Sequence, residues 1–244
     1  MNVQVMSKTH VGMVRSNNED ALLIREPYLF AVADGMGGYA AGEIASRETL
    51  KAFEAGTYVL RHEQVDSPEK VLLQAFQRAN EHIYLMANKN DTYQGMGTTL
   101  TAVYLADDNT AYAAHIGDSR LYIYRNGSLS QITHDHSYVA ALLDKGEITE
   151  SEAFKHPQKN MLLQAVGVEK NIDIEIIHFA LEHNDVLLLC SDGLSDMLQD
   201  KDIEHILDAE DLEFSADKLV EAALSSGGKD NISLILLHIA DDKL

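Results

Sequence analysis

The stretch Tyr124-Arg125-Asn126-Gly127-Ser128-Leu129 places an Asn-Gly pair between residues that are typical of strands. Asn-Gly is the pair that suits a two-residue type I′ turn, because both positions need a positive φ, so the stretch predicts a β-hairpin. Asp107-Asp108-Asn109 joins two further strand-type stretches in the same way. Hairpins pair strands antiparallel, whereas parallel strands need long crossovers. The sequence therefore excludes a doubly wound parallel sheet.

Working outward from this hairpin, runs of apolar and β-branched residues predict strands at Ala21–Ile24, Leu29–Ala33, Thr99–Leu105, Thr110–Ile116, Leu121–Tyr124, Ile172–Phe179, Val186–Ser191 and Ile232–Ile239. Helical spacing predicts helices over Ala40–Tyr58, after the N-cap pair Ser67-Pro68, and over Ala216–Ser225. Helices set between antiparallel strands predict an α+β fold. We expect a four-layer α-β-β-α sandwich, with two antiparallel sheets packed on each other and helices on their outer faces.

Length and composition predict one domain, because 244 residues of which 45% are hydrophobic can bury a single core. Residues 134–166 interrupt the strand pattern as a polar, helical insertion. The net charge of −20 argues against binding to nucleic acid or to an anionic membrane surface. The apolar runs are far shorter than the ~20 residues that span a bilayer. The N-terminal residues lack the pattern of a signal peptide. The single cysteine, Cys190, excludes an internal disulfide, and we expect a cytoplasmic protein.

Aspartates recur at the ends of the predicted strands: Asp20, Asp34, Asp118, Asp192 and Asp230. One such aspartate is usually a turn former or a helix cap, but a whole set is difficult to explain in that way. If they converge, two bare carboxylates ~4 Å apart would repel by ~4 kcal/mol at an effective dielectric near 20. Divalent cations would relieve this repulsion, and all-oxygen ligands select Mg²⁺ or Mn²⁺ over Zn²⁺.

Three rival motifs fail on their own residues. The segment from Gly35 to Ala40 has the G-x-G-x-x-A form of a dinucleotide-binding loop, but Asp34 precedes it and no parallel βαβ unit follows. Ser226-Gly227-Gly228-Lys229-Asp230 lacks the first glycine and the final Ser/Thr of a phosphate-binding P-loop. A nucleophilic Cys190 with the Cys-x5-Arg spacing would need an arginine at position 196, where Asp196 stands.

Several segments, taken in chain order, resemble the metal-dependent protein phosphatases (the PPM or type 2C family), particularly its compact bacterial members. They are Arg15-Ser16-Asn17-Asn18-Glu19-Asp20, Val32-Ala33-Asp34-Gly35-Met36-Gly37-Gly38, Gly97-Thr98-Thr99, His115-Ile116-Gly117-Asp118-Ser119-Arg120, Ser191-Asp192-Gly193-Leu194-Ser195-Asp196 and Gly228-Lys229-Asp230-Asn231-Ile232-Ser233. The resemblance extends from about residue 7 to residue 239. It implies a sandwich of two antiparallel sheets flanked by helices. It also implies hydrolysis of phosphoserine and phosphothreonine on proteins by attack of a metal-activated water.

The resemblance implies a ligand set for two Mn²⁺ or Mg²⁺ ions and a third. Asp34 would bridge the paired ions, the Gly35 carbonyl would bind one of them, and Asp192 and Asp230 would complete the other. Glu19 and Asp20 would mainly hold metal-bound waters. Asp118 would make the third site together with Asp192, and Asn231 would support the ligands from behind.

The same resemblance implies that Arg15 binds the substrate phosphate, which a guanidinium can hold with two hydrogen bonds. Arg15, Asp34 and Asp192 are thus the expected catalytic residues. Animal members carry a histidine after the Asp-Gly pair as a proton donor, and Met36 stands there in this chain. Methionine cannot donate a proton, so no general acid is assigned.

Residues 134–166 correspond to the family's flap, which lies near the active site. For His136 in the flap we expect a local structural or capping role rather than a chemical one. The expected partners are phosphoproteins modified by a cognate Ser/Thr kinase, and the expected state is a monomer. Two alternatives stay open: an inactive phosphatase-like binding module, and a regulatory phosphatase dedicated to one anti-sigma-type switch protein. An assay on phosphopeptides with Mn²⁺, Mg²⁺ or EDTA separates active from inactive forms.

Overall fold

A computed structural model describes residues 2–37, 41–62, 65, 67–209 and 211–240 of the chain. Two antiparallel sheets form its centre. The first sheet contains, in spatial order, β1 (Asn2–His10), β11 (Ile232–Ala240), β10 (Val186–Cys190), β7 (Arg120–Arg125) and β8 (Ser128–Gln131). The second contains β2 (Asp20–Arg25), β3 (Leu29–Met36), β5 (Leu100–Leu105), β6 (Thr110–Ile116) and β9 (Glu175–Ala180), with β4 (Gly97–Thr98) paired to the end of β3.

Helices cover the outer face of each sheet. On the second sheet lie α1 (Ala41–Gly56), α2 (Val59–His62) and α3 (Pro68–Lys89). On the first sheet lie α6 (Asp192–Ser195), α7 (Asp200–Ile206) and α8 (Leu212–Ser225). Two short helices, α4 (Tyr138–Asp144) and α5 (Glu150–Phe154), belong to the flap between β8 and β9.

Three apolar cores separate these four layers, and the alternation of side chains along β3 explains how. Phe30 and Val32 face the other sheet, where they join Leu187 and Leu237. Ala31 and Ala33 face the helices and leave room for larger helix side chains such as Phe53. A third core, between the first sheet and its helices, contains Leu188, Ile203 and Leu219. The predicted four-layer α-β-β-α sandwich is therefore confirmed.

The hairpin that decides the fold is present, because Asn126 and Gly127 have φ values of 53° and 81° and β7 pairs with β8 across them. The predicted strand over Ile172–Phe179 begins later, at Glu175. Its alternation at Ile172 and Ile174 is real, but these side chains pack on the core beneath α3 instead of extending the sheet. The pairing with β6 ends at His115 and Glu175, so residues 172–174 lie outside the sheet.

Two further boundaries differ from the sequence prediction. Strand β1 was not predicted, and it forms the edge of the first sheet by pairing along β11. The predicted helix Ala40–Tyr58 is described from Ala41 to Gly56, and Ala40 lies outside the described residues. The helix predicted at Ala216–Ser225 begins earlier, where the Asp211 side chain accepts a hydrogen bond from the Phe214 N–H.

The packing of α1 on α3 makes a stability prediction. The rings of Phe53 and Phe76 meet edge to face with centroids 5.2 Å apart, and both are fully buried. Phe53→Ala should lower the free energy of unfolding by about 3–5 kcal/mol, because it leaves a cavity in a closed core. Urea denaturation measures the change. The control is Phe214→Ala, at a ring that is 50% exposed, which should cost no more than about 1 kcal/mol. Equal losses for the two variants would contradict this account of the core.

Candidate active site

Carboxylates converge at one end of the sandwich. Asp20 and Asp34 are direct partners across the β2–β3 pair. Asp192 begins α6 just after β10, and Asp118 follows β6. Burial and then the charges of Asp20, Asp192, Asp118 and Asp230 raise the pKa of Asp34 well above its ordinary value. The structure thus brings together all the aspartates that the sequence singled out.

Asp34 lies inside its strand and not at the end that the sequence predicts. Strand β3 continues through Gly35 and Met36, which pair with Thr98 and Gly97 of β4. The β4 segment was not predicted as a strand, so no pairing partner was expected for residues beyond Asp34. The continued pairing fixes the Asp34 backbone on both sides.

The other buried carboxyls also resist ionisation. Burial raises the pKa of Asp20 to about 6, against the lowering effect of hydrogen bonds from Ser233 and Ser191. Burial, with the charges of Asp135 and Asp196, raises the pKa of Asp118 to about 7. The pKa of Asp192 is raised by burial and then by the charges of Asp118 and Asp196. Each of these groups would be easier to ionise beside a cation.

Two buried carboxylate oxygens indicate which kind of ligand the cluster can bind. Asp20 Oδ1 and Asp192 Oδ1 are buried and have no hydrogen-bond partner among the described residues, although Asp20 Oδ2 accepts from Ser191 Oγ at 2.8 Å. A buried carboxylate oxygen without a donor is costly unless a cation or a proton satisfies it. Oxygen donors of this kind suit Mg²⁺ or Mn²⁺. The residues present therefore fit a divalent-cation centre.

Arg15 lies beside the cluster and is 54% exposed at its side chain. Its Nη2 lies 2.7 Å from Asp230 Oδ2, and the two groups form an ion pair. Glu19 is half-buried in the same loop, and its pKa is raised mainly by burial. The structure therefore places both predicted residues of this loop, Arg15 and Glu19, at the rim of the carboxylate cluster.

Asn231 supports this loop from below. Its Oδ1 accepts the Glu19 N–H at 2.8 Å, and its Nδ2 donates to the carbonyls of Val11 and Asn17, each at 2.9 Å. The amide thus ties the loop that carries Arg15 to the start of β11. The prediction placed Asn231 behind the ligands, and its side chain contacts the loop backbone and not a ligand side chain.

Thr98 and Thr99 have a role that the sequence reasoning missed. The Asp34 N–H donates to Thr99 Oγ1 at 2.9 Å, and Thr98 Oγ1 donates to the Asp34 carbonyl at 2.8 Å. Ser119 extends the arrangement, since its hydroxyl lies 2.7 Å from Thr99 Oγ1. These hydroxyls hold the peptide groups of Asp34. The only sequence signal was the position of the threonines in a segment shared with the family.

Gly35 is needed because two chain segments meet at it. A Cβ there would lie 2.0 Å from the Gly42 carbonyl oxygen and 2.7 Å from that of Glu19. Helix α1 therefore approaches the strand that carries Asp34 directly. Gly38 of the same family segment lies outside the described residues.

The flap reaches the same cluster through Lys159 and Asn160. Lys159 Nζ lies 3.0 Å from Asp196 Oδ2, and Asn160 Nδ2 lies 3.3 Å from Asp192 Oδ2. A cavity of about 460 Å³ lies between the flap helices and the carboxylates, with Asp118 and Asp192 on its wall. The cavity gives a ligand room to approach the cluster beside the flap.

This sandwich with a cation-binding carboxylate cluster between its sheets defines a metal-dependent phosphatase. The family described as protein phosphatase 2C matches residues 13–231, and the chain belongs to this family. Metal dependence and phosphoprotein hydrolysis follow from that membership.

Individual relatives cover almost the whole chain. It is 38% identical to the serine/threonine phosphatase stp of Listeria welshimeri over 95% of this chain and 94% of the relative. Stp1 of Staphylococcus aureus has a similar structure, with a TM-score of 0.90, 32% identity and coverage of 99% and 96% of the two chains. The catalytic domain of PstP, solved with two manganese ions, gives a TM-score of 0.88 at 34% identity over 98% and 99%. The expected resemblance is confirmed.

Among the described residues, no helix combines the length and the apolar character needed to cross a membrane.

The raised pKa values predict how the metal-free protein responds to pH. Asp20 and Asp118 have folded-state pKa values of about 6 and about 7, above the ordinary value of 3.8. Between pH ~4 and pH ~7 the native state therefore binds more protons than the unfolded state, and stability should fall as the pH rises. Urea unfolding in EDTA at pH 5 and pH 7.5 measures the fall.

Asp118→Asn should raise stability at pH 7.5 and reduce this fall. The matched control is Asp107→Asn, at an exposed position in the β5–β6 turn, which should change neither quantity. An unchanged pH dependence in Asp118→Asn would mean that Asp118 does not contribute to the repulsion.

Proposed function

We propose that this enzyme hydrolyses phosphoserine and phosphothreonine esters on proteins with Mn²⁺ or Mg²⁺ in the carboxylate cluster. The observation that carries the proposal is the pair of orphaned, buried oxygens on Asp20 and Asp192. They lie among carboxyls whose pKa values are raised by burial and mutual repulsion. Hydrogen bonding within the protein leaves these oxygens unsatisfied, and divalent cations would satisfy them.

The proposed ligands divide among three ions. Asp34 and the Gly35 carbonyl would hold the paired ions with Asp192 and Asp230, while Glu19 and Asp20 would act through water. When bound, the paired cations would lower the pKa of a water molecule and offset charge on the phosphoryl group. Asp118 and Asp192 would hold the third ion. Burial and neighbouring charges raise the pKa values of both Asp118 and Asp192, which supports this third position.

Arg15 binds the phosphate in this proposal. Within the described part of the chain, its guanidinium is anchored through Asp230 and has further N–H donors available. Once Asp230 serves as a cation ligand, those donors can contact two phosphate oxygens and orient the ester. Met36 cannot donate a proton to the leaving group, and we assign that step to no side chain.

The flap forms one side of the approach to the centre. Lys159 and Asn160 contact Asp196 and Asp192, and the cavity beside them opens toward the cluster. A phosphorylated protein segment would therefore lie against the flap, whereas a small aryl phosphate needs only the cluster and Arg15. This arrangement supports a substrate-selecting role for residues 134–166.

We also infer the setting in which the enzyme works. A net charge of −20 disfavours nucleic acid and anionic lipid as partners, and the buried thiol of Cys190 suits a reducing cytoplasm. The substrates are then phosphoproteins of a cognate Ser/Thr kinase in a signalling role. We propose a single-domain monomer.

Metal dependence is the direct test of this proposal. Turnover of a phosphothreonine peptide should require added Mn²⁺ or Mg²⁺ and disappear in excess EDTA. Asp192→Asn should lower kcat by at least ~10²-fold, because it removes an electrostatic element of the transition state. The control is Cys190→Ala, which removes a fully buried thiol that is not in the proposed ligand set and should keep most of the activity. Full turnover in EDTA would contradict the proposal.

Arg15→Ala separates phosphate binding from metal binding. Loss of hydrogen bonds to a charged group is worth ~1.5–3 kcal/mol, so kcat/KM should fall by ~10–150-fold. Mn²⁺ affinity, measured by calorimetry, should not weaken, because the variant removes a cation that competes for Asp230. Arg15→Lys keeps the charge without the two-pronged geometry and should recover only part of the rate. Loss of Mn²⁺ binding in Arg15→Ala would show that Arg15 is a structural residue.

A further inference from the structure

Gly117 sets the direction in which Asp118 leaves β6. It has a φ of +113°, and a Cβ there would lie 2.6 Å from Thr99 Cγ2. The chain therefore turns tightly against the threonine that holds Asp34. Asp118 is 9% exposed, and its carboxylate is hydrogen-bonded to its own backbone N–H. The orientation of this carboxylate thus follows the backbone of Gly117 and Asp118.

His136 holds both peptide groups of Gly117. The Gly117 N–H donates to His136 Nδ1 at 3.2 Å, and the His136 N–H donates to the Gly117 carbonyl at 2.7 Å. Because Nδ1 accepts, the proton of the neutral imidazole lies on Nε2. Ring and backbone of one residue thus clamp the glycine that precedes Asp118.

His115 completes the clamp from the sheet side. It is fully buried, and burial lowers its pKa to about 3, so the ring is neutral. Its Nε2 lies 3.1 Å from the Gly117 carbonyl, and its Nδ1 lies 2.8 Å from Thr101 Oγ1. A carbonyl can only accept, so His115 donates through Nε2. Its ring also packs on that of His136 with centroids 4.9 Å apart.

His136 also belongs to the base of the flap. Its carbonyl accepts the Leu163 N–H at 2.8 Å, and Ser137 pairs with Leu162. At the far end of the flap, Val166 pairs with Thr98 on the other side of the cluster. One end of the flap is therefore hydrogen-bonded to the segment that carries Asp118, and the other end to β4, which pairs with the strand that carries Asp34.

His115, His136 and Glu175 come close enough to suggest a metal site of their own. The hydrogen bonds argue against it. Both nitrogens of His115 and Nδ1 of His136 already have partners, and Glu175 Oε2 accepts the His134 N–H at 3.0 Å. The two rings are stacked with a tilt of 37°. The arrangement is that of a hydrogen-bonded clamp.

We propose that His136 is a positioning residue which orients Asp118 through Gly117 and thereby couples the flap to the cation bound at Asp118. The inference rests on the proposed function, because it requires Asp118 to be a cation ligand. In this proposal, His136 contributes to cation binding because its Nδ1 accepts the hydrogen bond from the Gly117 N–H.

The test counts Mn²⁺ ions bound per chain, from the electron paramagnetic resonance signal of free Mn²⁺. The binding step that Asp118→Asn removes defines the Asp118-dependent ion. His136→Leu should weaken that step by roughly three- to tenfold, the effect of losing one neutral hydrogen bond. His136→Asn should bind as the wild type does, because its Oδ1 occupies the place of Nδ1. His136→Gln, whose acceptor lies one bond further out, should behave like His136→Leu.

A double variant separates positioning from general destabilisation. His136→Leu should have no further effect on Mn²⁺ binding in the Asp118→Asn background, because it acts through Asp118. Wild-type binding in His136→Leu, equal weakening in His136→Asn, or additive losses in the double variant would overturn the proposal. If His136→Leu does not fold, the Asn and Gln pair decides alone.

The failure of the proposed function would look different. It would appear as wild-type protein without Mn²⁺-dependent turnover of phosphopeptides, whatever the His136 variants bind. An Asp118→Asn variant that binds every ion of the wild type would overturn the inference as well, since Asp118 would then hold no cation.

Discussion

The repulsion among buried carboxylates is the constraint on which the site depends. Asp20, Asp34 and Asp192 are forced together where the two sheets meet, and burial raises the pKa of each. Such a cluster is unfavourable by itself, since each charge lacks both water and a cation. The fold tolerates it because the remaining surfaces of β3 are packed on both faces. The burial of apolar side chains in the cores thus stabilises the fold against the repulsion among these carboxylates.

Hydrogen bonds from uncharged side chains fix the backbone around the cluster. Thr98 and Thr99 hold the Asp34 peptide, Asn231 holds the loop of Arg15, and His136 holds Gly117. None of these groups is charged in its role. The side chains around the cluster therefore act mainly on backbone, and the backbone then places the carboxylates.

In the proposed function, the flap links the approach of the substrate to the cluster. Lys159 and Asn160 contact Asp196 and Asp192 at one place, and His136 contacts Gly117 at another. An insertion attached at both points can respond to a protein substrate and to the cation centre together. The large cavity beside it leaves space for that response.

The sequence by itself determined the antiparallel class, from Asn126-Gly127, and the candidate ligands, from aspartates at the ends of apolar runs. Turn chemistry and strand alternation are local, so they can be read along the chain. Tertiary structure decided three further features. These are the extension of β3 past Asp34, the edge strand β1, and the packing of Ile172 and Ile174 beneath α3. Tertiary structure also decided the roles of Thr99, Asn231 and His136. Each depends on a hydrogen bond or contact between segments far apart in sequence, and no local pattern encodes such a meeting.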